Sequence, residues 1–356
     1  MDDVEAVVLV GGKGTRLRPL TLAAAKPMLP TAGVPFLAHL LSRIRAAGVR
    51  RVVLGTSYLA ETFEAGFGDG AALDLELIYV TEEQPLGTGG GIRNVADHLT
   101  AETVMVFNGD VLAGTDLTAV VDTHRRTDAD VTLHLVRVQN PRAFGCVPTD
   151  AEGRVQAFLE KTEDPPTDQI NAGCYVFRRK VIDQIPAGRV VSVERDTFPG
   201  LLAEGARVWG HVDAAYWRDL GTPGDLVHGS ADLVRGIAPS AALPGPVGDR
   251  LVLEGAELAP DALVFGGTTV GRGVRIGPGA RVEGAMLFDG AVVGAGALVR
   301  HSIVGFGAQV HEGAVLVDSV VGDRAVVGAQ CELRHGARVW PGVTLPPHGV
   351  RFSPDV

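Results

Sequence analysis

Over residues 1–235, short apolar runs alternate with segments whose apolar residues recur every three to four positions. That alternation predicts strands at 5–10, 51–55, 74–80, 103–107, 131–138, 172–177 and 206–212, with helices between them. It is the pattern of βαβ units around a mostly parallel sheet. A helix over 35–47 has Pro35 at its start, Leu37, Leu40, Leu41 and Ile44 on one face, and Gly48 as a stop. A second, over 91–99, carries Ile92, Val95, Ala96 and Leu99 at i, i+3, i+4, i+7 spacing. A third, over 116–126, starts at Asp116 and buries Leu117, Val120 and Val121.

Residues 236–249 (GIAPSAALPGPVGD) hold three prolines and three glycines and read as a linker. Over 250–356 the period changes. Aliphatic residues recur every five or six positions, and three such steps make seventeen. Val270, Leu287, Val304 and Val321 form one column; Ile276, Val293, Val310 and Val327 form a second; Val282, Val299, Leu316 and Leu333 form a third. One apolar residue per short strand, three strands per coil and glycines at the corners predict a left-handed parallel β-helix of hexapeptide repeats. Such a domain stacks and assembles, and the flank near Phe288, Phe306 and Trp340 suits subunit contact. The rival reading is a histidine-dependent acyltransferase; His301, His311 and His335 are present, but none stands in a recognisable setting for it.

Composition narrows the class. The chain has 356 residues, 46% of them hydrophobic, and a net charge of −10, which argues against a general nucleic-acid binder. No apolar run approaches the ~18 residues of a membrane span, and the acidic start Met1-Asp2-Asp3 is no signal peptide. Cys146, Cys174 and Cys331 lack metal spacing and fit a reducing, cytoplasmic setting as small core residues. Lysine occurs only at positions 13, 26, 161 and 180, and three of the four fall in segments marked out below for chemistry.

The first strand runs into Gly11, Gly12, Lys13 and Gly14, with Thr15, Arg16 and Arg18 behind them and Lys26 beyond. Glycines past a strand end leave backbone N–H groups unshielded, an anion nest that the basic side chains reinforce. No Gly-Lys-Ser/Thr occurs, so this is not a Walker loop, and the glycine spacing does not match the dinucleotide fingerprint.

Several motifs in order extend this. GGKGTRLRPLT with Lys26-Pro27-Met28, Glu83-Gln84-Pro85-Leu86-Gly87-Thr88, Asn108-Gly109-Asp110, Phe144-Gly145, Glu160-Lys161, Asn171-Ala172-Gly173 and Trp217-Arg218-Asp219-Leu220-Gly221-Thr222 resemble the sugar-1-phosphate nucleotidyltransferases. The hexapeptide tail is similar to that of the subset that includes mannose-1-phosphate guanylyltransferases. The resemblance covers nearly the whole chain and implies transfer of GMP from GTP to a hexose-1-phosphate, mannose-1-phosphate first, with release of pyrophosphate.

By this resemblance Arg16 would hold the β,γ-phosphates, as a guanidinium forks onto phosphate oxygens. Lys26 would neutralise the reacting phosphates and Lys161 the sugar phosphate; their bland alternatives are a solvated loop charge and a surface ion pair with Glu160. Asp110 lies just past the apolar run 104–107, at the carboxyl end of a strand, where open α/β sheets bind ligands. Asp219 follows a short strand expected at Ala215–Trp217. Mg²⁺ would reconcile the two carboxylates with the phosphate oxygens. Gly11, Gly12, Gly14, Thr15, Gly87 and Asn108 would line the nucleotide. Glu160 and Asn171 would meet sugar hydroxyls, with Gly145 and Gly173 giving backbone contacts.

Base choice turns on Glu82. In relatives that use uracil or thymine, a glutamine five residues before the glycine of the Leu-Gly motif reads the base; here that position is Glu82. A carboxylate only accepts hydrogen bonds, which suits the adjacent N1–H and amino donors of guanine. Two other readings stay open: a thymidylyl- or uridylyltransferase acting on glucose-1-phosphate, and a non-catalytic subunit that senses sugar nucleotides. A homo-oligomer through the β-helix is expected, with no nucleic-acid or membrane partner.

Overall fold

The computed structural model describes Met1 and residues 3–351; Asp2 of the acidic start and residues 352–356 of the C-terminal tract lie outside the described residues. The chain divides into two compact units: Met1–Gly12 with Leu40–Trp217, and Lys13–His39 with Arg218–Val356.

In the first unit the apolar run at the start of the chain becomes the buried strand Val4–Leu9. It has parallel neighbours on both sides, Ala6 lying opposite Val52 of Arg51–Thr56 and Val7 opposite Val106 of Thr103–Asn108. Glu76–Thr81 extends the sheet parallel to Arg51–Thr56. Beyond Thr103–Asn108 the ten-residue strand Gln169–Arg178 runs antiparallel, and it pairs on its other side with Val131–Arg137. Val208–Asp213 then lies parallel to Val131–Arg137. All seven expected strands are present, and the sheet is mixed and mostly parallel as its Rossmann-like pattern implied. Val7, Val53, Val106, Leu133, Tyr175, Phe177 and Phe198 belong to one buried cluster on it.

The helices follow their start and stop signals with one exception. Phe36–Ala46 begins straight after Pro35. Leu117–Arg126 is capped by Asp116, whose carboxylate accepts the Thr118 N–H at 2.9 Å. The helix expected at 91–99 is instead Gly87–Asn94, with Ala96–His98 as a separate 3₁₀ turn. The apolar face is right, as Ile92, Val95 and Ala96 are fully buried. The start lies earlier because the Gly89 and Gly90 N–H groups donate to Val191 O at 2.8 and 3.2 Å, which outweighs the poor helix propensity of glycine.

In the second unit the three apolar columns are the hydrogen-bonded ladders of a parallel β-helix. Val270, Leu287, Val304 and Val321 pair in series, as do Ile276, Val293, Val310 and Val327, and Val282, Val299, Leu316 and Leu333. The helix extends beyond the four coils of constant period. Val252 pairs with Val270 and Val321 with Val339, each step one residue longer than seventeen. Helix Pro223–Val234 belongs to the same unit, and its Thr222 cap accepts the Asp225 N–H at 3.2 Å. The Ser230 hydroxyl of that helix accepts the Ala32 N–H at 2.9 Å. All three cysteines are buried and unpaired, as expected of core residues. Among the described residues, no helix is long and apolar enough to cross a membrane.

Candidate functional site

The parallel strands of the first unit end together at Leu9, Thr56, Thr81 and Asn108. The strand order reverses at Val4–Leu9, and this is where open α/β sheets leave a crevice for a ligand. Gly12 takes φ of +113° with open space around it, so backbone N–H groups stand clear there. At Gly11 a Cβ would lie 3.0 Å from the Ser57 hydroxyl. The Gly109 N–H donates to Leu9 O at 2.9 Å, and a Cβ on Gly109 would lie 2.7 Å from that oxygen. This tight turn sets the half-buried Asp110 at the strand end, as expected. Two residues back, Asn108 Oδ1 is buried with no partner among the described residues, an acceptor left over for a ligand donor.

Glu82 follows Glu76–Thr81, its N–H donating to Thr56 O at 2.8 Å. Its side chain is already engaged: Oε2 accepts the Leu86 N–H at 3.2 Å. A Cβ on Gly91 would lie 2.6 Å from Oε1, so the carboxylate rests against the glycine helix. Burial pushes this carboxyl up and the Leu86 N–H pulls it back, with burial the stronger. Gly87 has φ of +72°, and a Cβ there would meet Val191 O at 2.6 Å. The segment 189–197 thus clamps the glycine helix, with Glu194 accepting the Thr88 hydroxyl at 2.7 Å. No motif in the sequence marks that clamp.

A short ribbon at the edge of the sheet carries two of the expected sugar residues, Gly145 and Glu160, while Asn171 and Gly173 lie on the strand Gln169–Arg178. Gly145 lies opposite Glu160, and a Cβ on Gly145 would come within 3.0 Å of Glu160 Oε2. Lys161 sits in the left-handed region at φ +49°, held by its N–H to Phe144 O at 3.3 Å. Its Nζ lies 3.7 Å from Glu160 Oε1 with the side chain 61% exposed, the surface pair that is its bland alternative. Such a pair contributes about 0–1 kcal/mol, little enough for a phosphate to displace it. Asn171 is more committed than expected. Its Nδ2 donates to Tyr175 Oη at 2.8 Å and its Oδ1 accepts the Gly173 N–H at 3.0 Å, across the register shift between Asn171 and Tyr175. Gly173, at φ +75°, completes that bulge. Trp217, carried only as part of a motif, donates from Nε1 to Ala172 O at 3.0 Å and meets Phe144 edge-on at 5.2 Å.

The second unit holds Arg16 and Lys26. Residues 13–31 run through three 3₁₀ turns, Thr15–Leu17, Leu20–Leu22 and Lys26–Met28, anchored by buried Leu17, Leu20 and Leu29. Gly14 is left-handed at φ +54°, its carbonyl accepting the Thr21 hydroxyl at 2.8 Å. Thr15 and Arg16 are exposed just beyond it. Lys26 Nζ lies 3.9 Å from Asp219 Oδ1. A Cβ on Gly221 would stand 2.7 Å from Arg16 Nη2 and 2.9 Å from Asp219 Oδ2, so the bare glycine lets guanidinium and carboxylate approach. Asp219 is the last residue of the strand Trp217–Asp219, two residues later than expected. The reason is local: the Asp213 carboxylate accepts the Ala215 N–H at 3.2 Å, a turn that postpones the extended segment. From the β-helix, Arg338 Nη1 donates to Arg16 O at 2.9 Å and to Arg18 O at 2.6 Å, a contact with no sequence signal.

Among the described residues, no group of three or more His, Cys, Asp or Glu has metal-holding geometry. Asp110 and Asp219 are partly exposed hard-oxygen donors. Carboxylates are the donor type of which Mg²⁺ takes one or two, drawing its remaining oxygens from phosphate and water.

The nucleotidyl transferase family matches residues 5–236, and the GMPPB C-terminal domain family matches residues 247–350. A mannose-1-phosphate guanylyltransferase of Mycobacterium tuberculosis is 68% identical over 354 residues, 99% of each chain. A mannose-1-phosphate guanylyltransferase 1 of Arabidopsis thaliana is 32% identical over 77% of this chain and 80% of its own. The crystal structure of HddC from Yersinia pseudotuberculosis complexed with GMP-PN superposes with a TM-score of 0.56 at 29% identity, over 64% of this chain and 97% of that one. The chain belongs to the nucleotidyl transferase family and carries a C-terminal domain of the GMPPB type.

Proposed function

We propose that this protein transfers GMP from GTP to mannose-1-phosphate, giving GDP-mannose and pyrophosphate. The observation that carries the reading is the 68% identity, over 99% of both chains, to a mannose-1-phosphate guanylyltransferase. An oxygen of the sugar phosphate attacks the α-phosphorus, the new P–O bond forms, and the bond to the β-phosphate oxygen breaks to release pyrophosphate. With a second pKa of about 6, the sugar phosphate is already anionic near neutral pH, so no general base is needed. The protein holds polyanions in line and spreads the charge of the transition state.

Arg16 and Lys26 take the triphosphate, with Gly221 leaving room for the Arg16 guanidinium beside Asp219. Lys161 exchanges its Glu160 partner for the sugar phosphate. Asp110 and Asp219 would hold Mg²⁺, which when bound would withdraw charge from phosphate oxygens. Asn108 Oδ1, Glu82 and the glycines at 11, 12, 14 and 87 face the nucleotide, as does Thr15. Gly145, Glu160, Asn171 and Gly173 form the sugar side, with Asn171 shaping the bulge and offering its remaining N–H. In this reading the protein works in the cytoplasm and assembles as a homo-oligomer through the β-helix; light scattering that shows only monomer at micromolar concentration would refute the assembly.

The test is pyrophosphate release with Mg²⁺, crossing GTP, dTTP, UTP, ATP and CTP with mannose-1-phosphate and glucose-1-phosphate. Preference for GTP with mannose-1-phosphate is expected. Preference for a pyrimidine triphosphate with glucose-1-phosphate would overturn the substrate assignment and leave the fold standing.

A further inference from the structure

A cleft of about 290 Å³ in the second unit has no part in that chemistry. One wall is the start of helix Pro223–Val234, where His228 points its ring at His301 with centroids 5.8 Å apart. The other wall is a corner of the β-helix, where His301, Asp318 and His335 follow one another from coil to coil. All three are left-handed, at φ +46°, +50° and +53°; in the coil before, the same corner is Gly284 at +51°. Three L-residues therefore occupy a backbone conformation that glycine fills without strain, and they present side chains to the cleft.

The cleft is lined by one cation, Arg338, one carboxylate, Asp318, and three imidazoles. Arg338 lines the cleft, which repels a metal ion, and the described residues there have no metal-holding geometry. The single carboxylate, Asp318, lies 3.6 Å from His301 Nδ1. Three imidazoles, the Arg338 guanidinium and Ser319 supply the remaining polar lining, and Val227, Ile303 and Val320 give an apolar floor. Donors for a phosphate beside a floor for a carbon skeleton describe a small phosphorylated organic molecule better than a bare ion. Arg338 also reaches the other way. Its Nη1 donates to Arg16 O and Arg18 O while the residue also lines the cleft.

We propose that this cleft binds a phosphorylated metabolite of hexose-monophosphate size, and that Arg338 couples its occupancy to the loop that carries Arg16. A ligand that fixes the guanidinium steadies the two carbonyls it holds, and with them the phosphate-binding loop. The binding step is independent of which nucleotide the protein uses. The coupling step rests on the role proposed above for Arg16.

The experiment uses glucose 6-phosphate, whose anomeric oxygen carries no phosphate to accept a nucleotidyl group, and inorganic phosphate as the smaller probe. Imidazole resonances of the full chain are followed by ¹H–¹⁵N NMR. Glucose 6-phosphate is expected to shift His228, His301 and His335 saturably and at lower concentration than inorganic phosphate. The H301G/H335G variant restores the residue type that the corner carries at Gly284, so it should fold, release pyrophosphate at the wild-type rate without the probe, and lose the shifts. Saturating glucose 6-phosphate should lower the KM for the preferred nucleoside triphosphate roughly fivefold, the low end of ordinary coupling between sites. R338K keeps the positive charge at the cleft and removes the guanidinium that holds both carbonyls, so it should keep the resonance shifts and lose the KM effect. Absence of shifts in the wild-type protein, or equal shifts in H301G/H335G, overturns the site. Binding with an unchanged KM overturns the coupling. Loss of pyrophosphate release altogether would count against the proposed function and leave the NMR result intact.

Discussion

Gly221 shows how much a single missing side chain can decide. The motif Trp217–Thr222 draws attention to Asp219, yet the glycine two residues on is what admits Arg16 Nη2 and Asp219 Oδ2 to the same spot. Gly221→Ala is expected to lower kcat/KM on the order of 100-fold, as a displacement of about 1 Å in a positioned group does. The unfolding temperature should hardly change; a matching loss of stability in a melting experiment would instead mark Gly221 as a packing residue. Glu82 makes a separate case. Its bond to Leu86 N–H is one that glutamine can also accept, so Glu82→Gln should fold normally. It should raise the KM for GTP about tenfold, the size of one charge-assisted hydrogen bond, and improve relative use of UTP or dTTP. Steady-state rates with each triphosphate settle it, and an unchanged GTP preference would remove Glu82 from base reading. Asn171 was legible as a motif residue. Its ties to Tyr175 and Gly173 were not, because they form only when the strand bulges.

Among the elements, the glycine helix Gly87–Asn94 sets local propensity against tertiary packing. Propensity alone says that alanine in place of glycine stabilises a helix by about 1 kcal/mol. Here a Cβ on Gly90 would lie 2.6 Å from Arg189 O and 2.7 Å from Leu86 Cβ. Gly90→Ala is therefore expected to lower the unfolding temperature, opposite in sign to the propensity argument, and to loosen the clamp of segment 189–197. A rise in melting temperature would show that the clamp yields freely. In the β-helix, local pattern and packing agree. Leu316 is fully buried and sits within its ladder between Val299 and Leu333. Its truncation to alanine should cost about 2–5 kcal/mol in a denaturant titration, the range for a buried leucine that leaves a cavity.

For the molecule as a whole, acid sensitivity follows from buried groups of the first unit. Burial, helped by Arg178, holds the His124 imidazole down to about 4 from 6.5. As pH falls below 6.5 the unfolded chain takes up a proton that the folded chain refuses, so stability drops until pH reaches about 4. Burial alone would push the Asp213 carboxyl up, but hydrogen bonds from His134 and Thr115 prevail and hold it at about 2. Its contribution is present above 3.8 and is lost as pH falls toward 2. Both groups act in the same direction. The melting temperature should therefore fall steadily from pH 6.5 to pH 4, and His124→Gln should flatten that part of the profile; a pH-independent melt over this interval would contradict it.

The sequence by itself determined seven strands of the first unit, the ladders of the β-helix and the candidate charged site residues. Each rests on a period or a spacing that short-range physics enforces: burial of an apolar run, one aliphatic residue per turn of a coil, or a glycine where the backbone must turn. Tertiary structure alone decided where the glycine helix begins, how far the β-helix extends past its constant period, and which polar atoms are already engaged. It alone revealed the clamp at 189–197 and the reach of Arg338 to the loop of Arg16. These contacts join residues about one hundred to three hundred positions apart. No local pattern records such a pairing, because its energy arises only when the chain brings the two partners together.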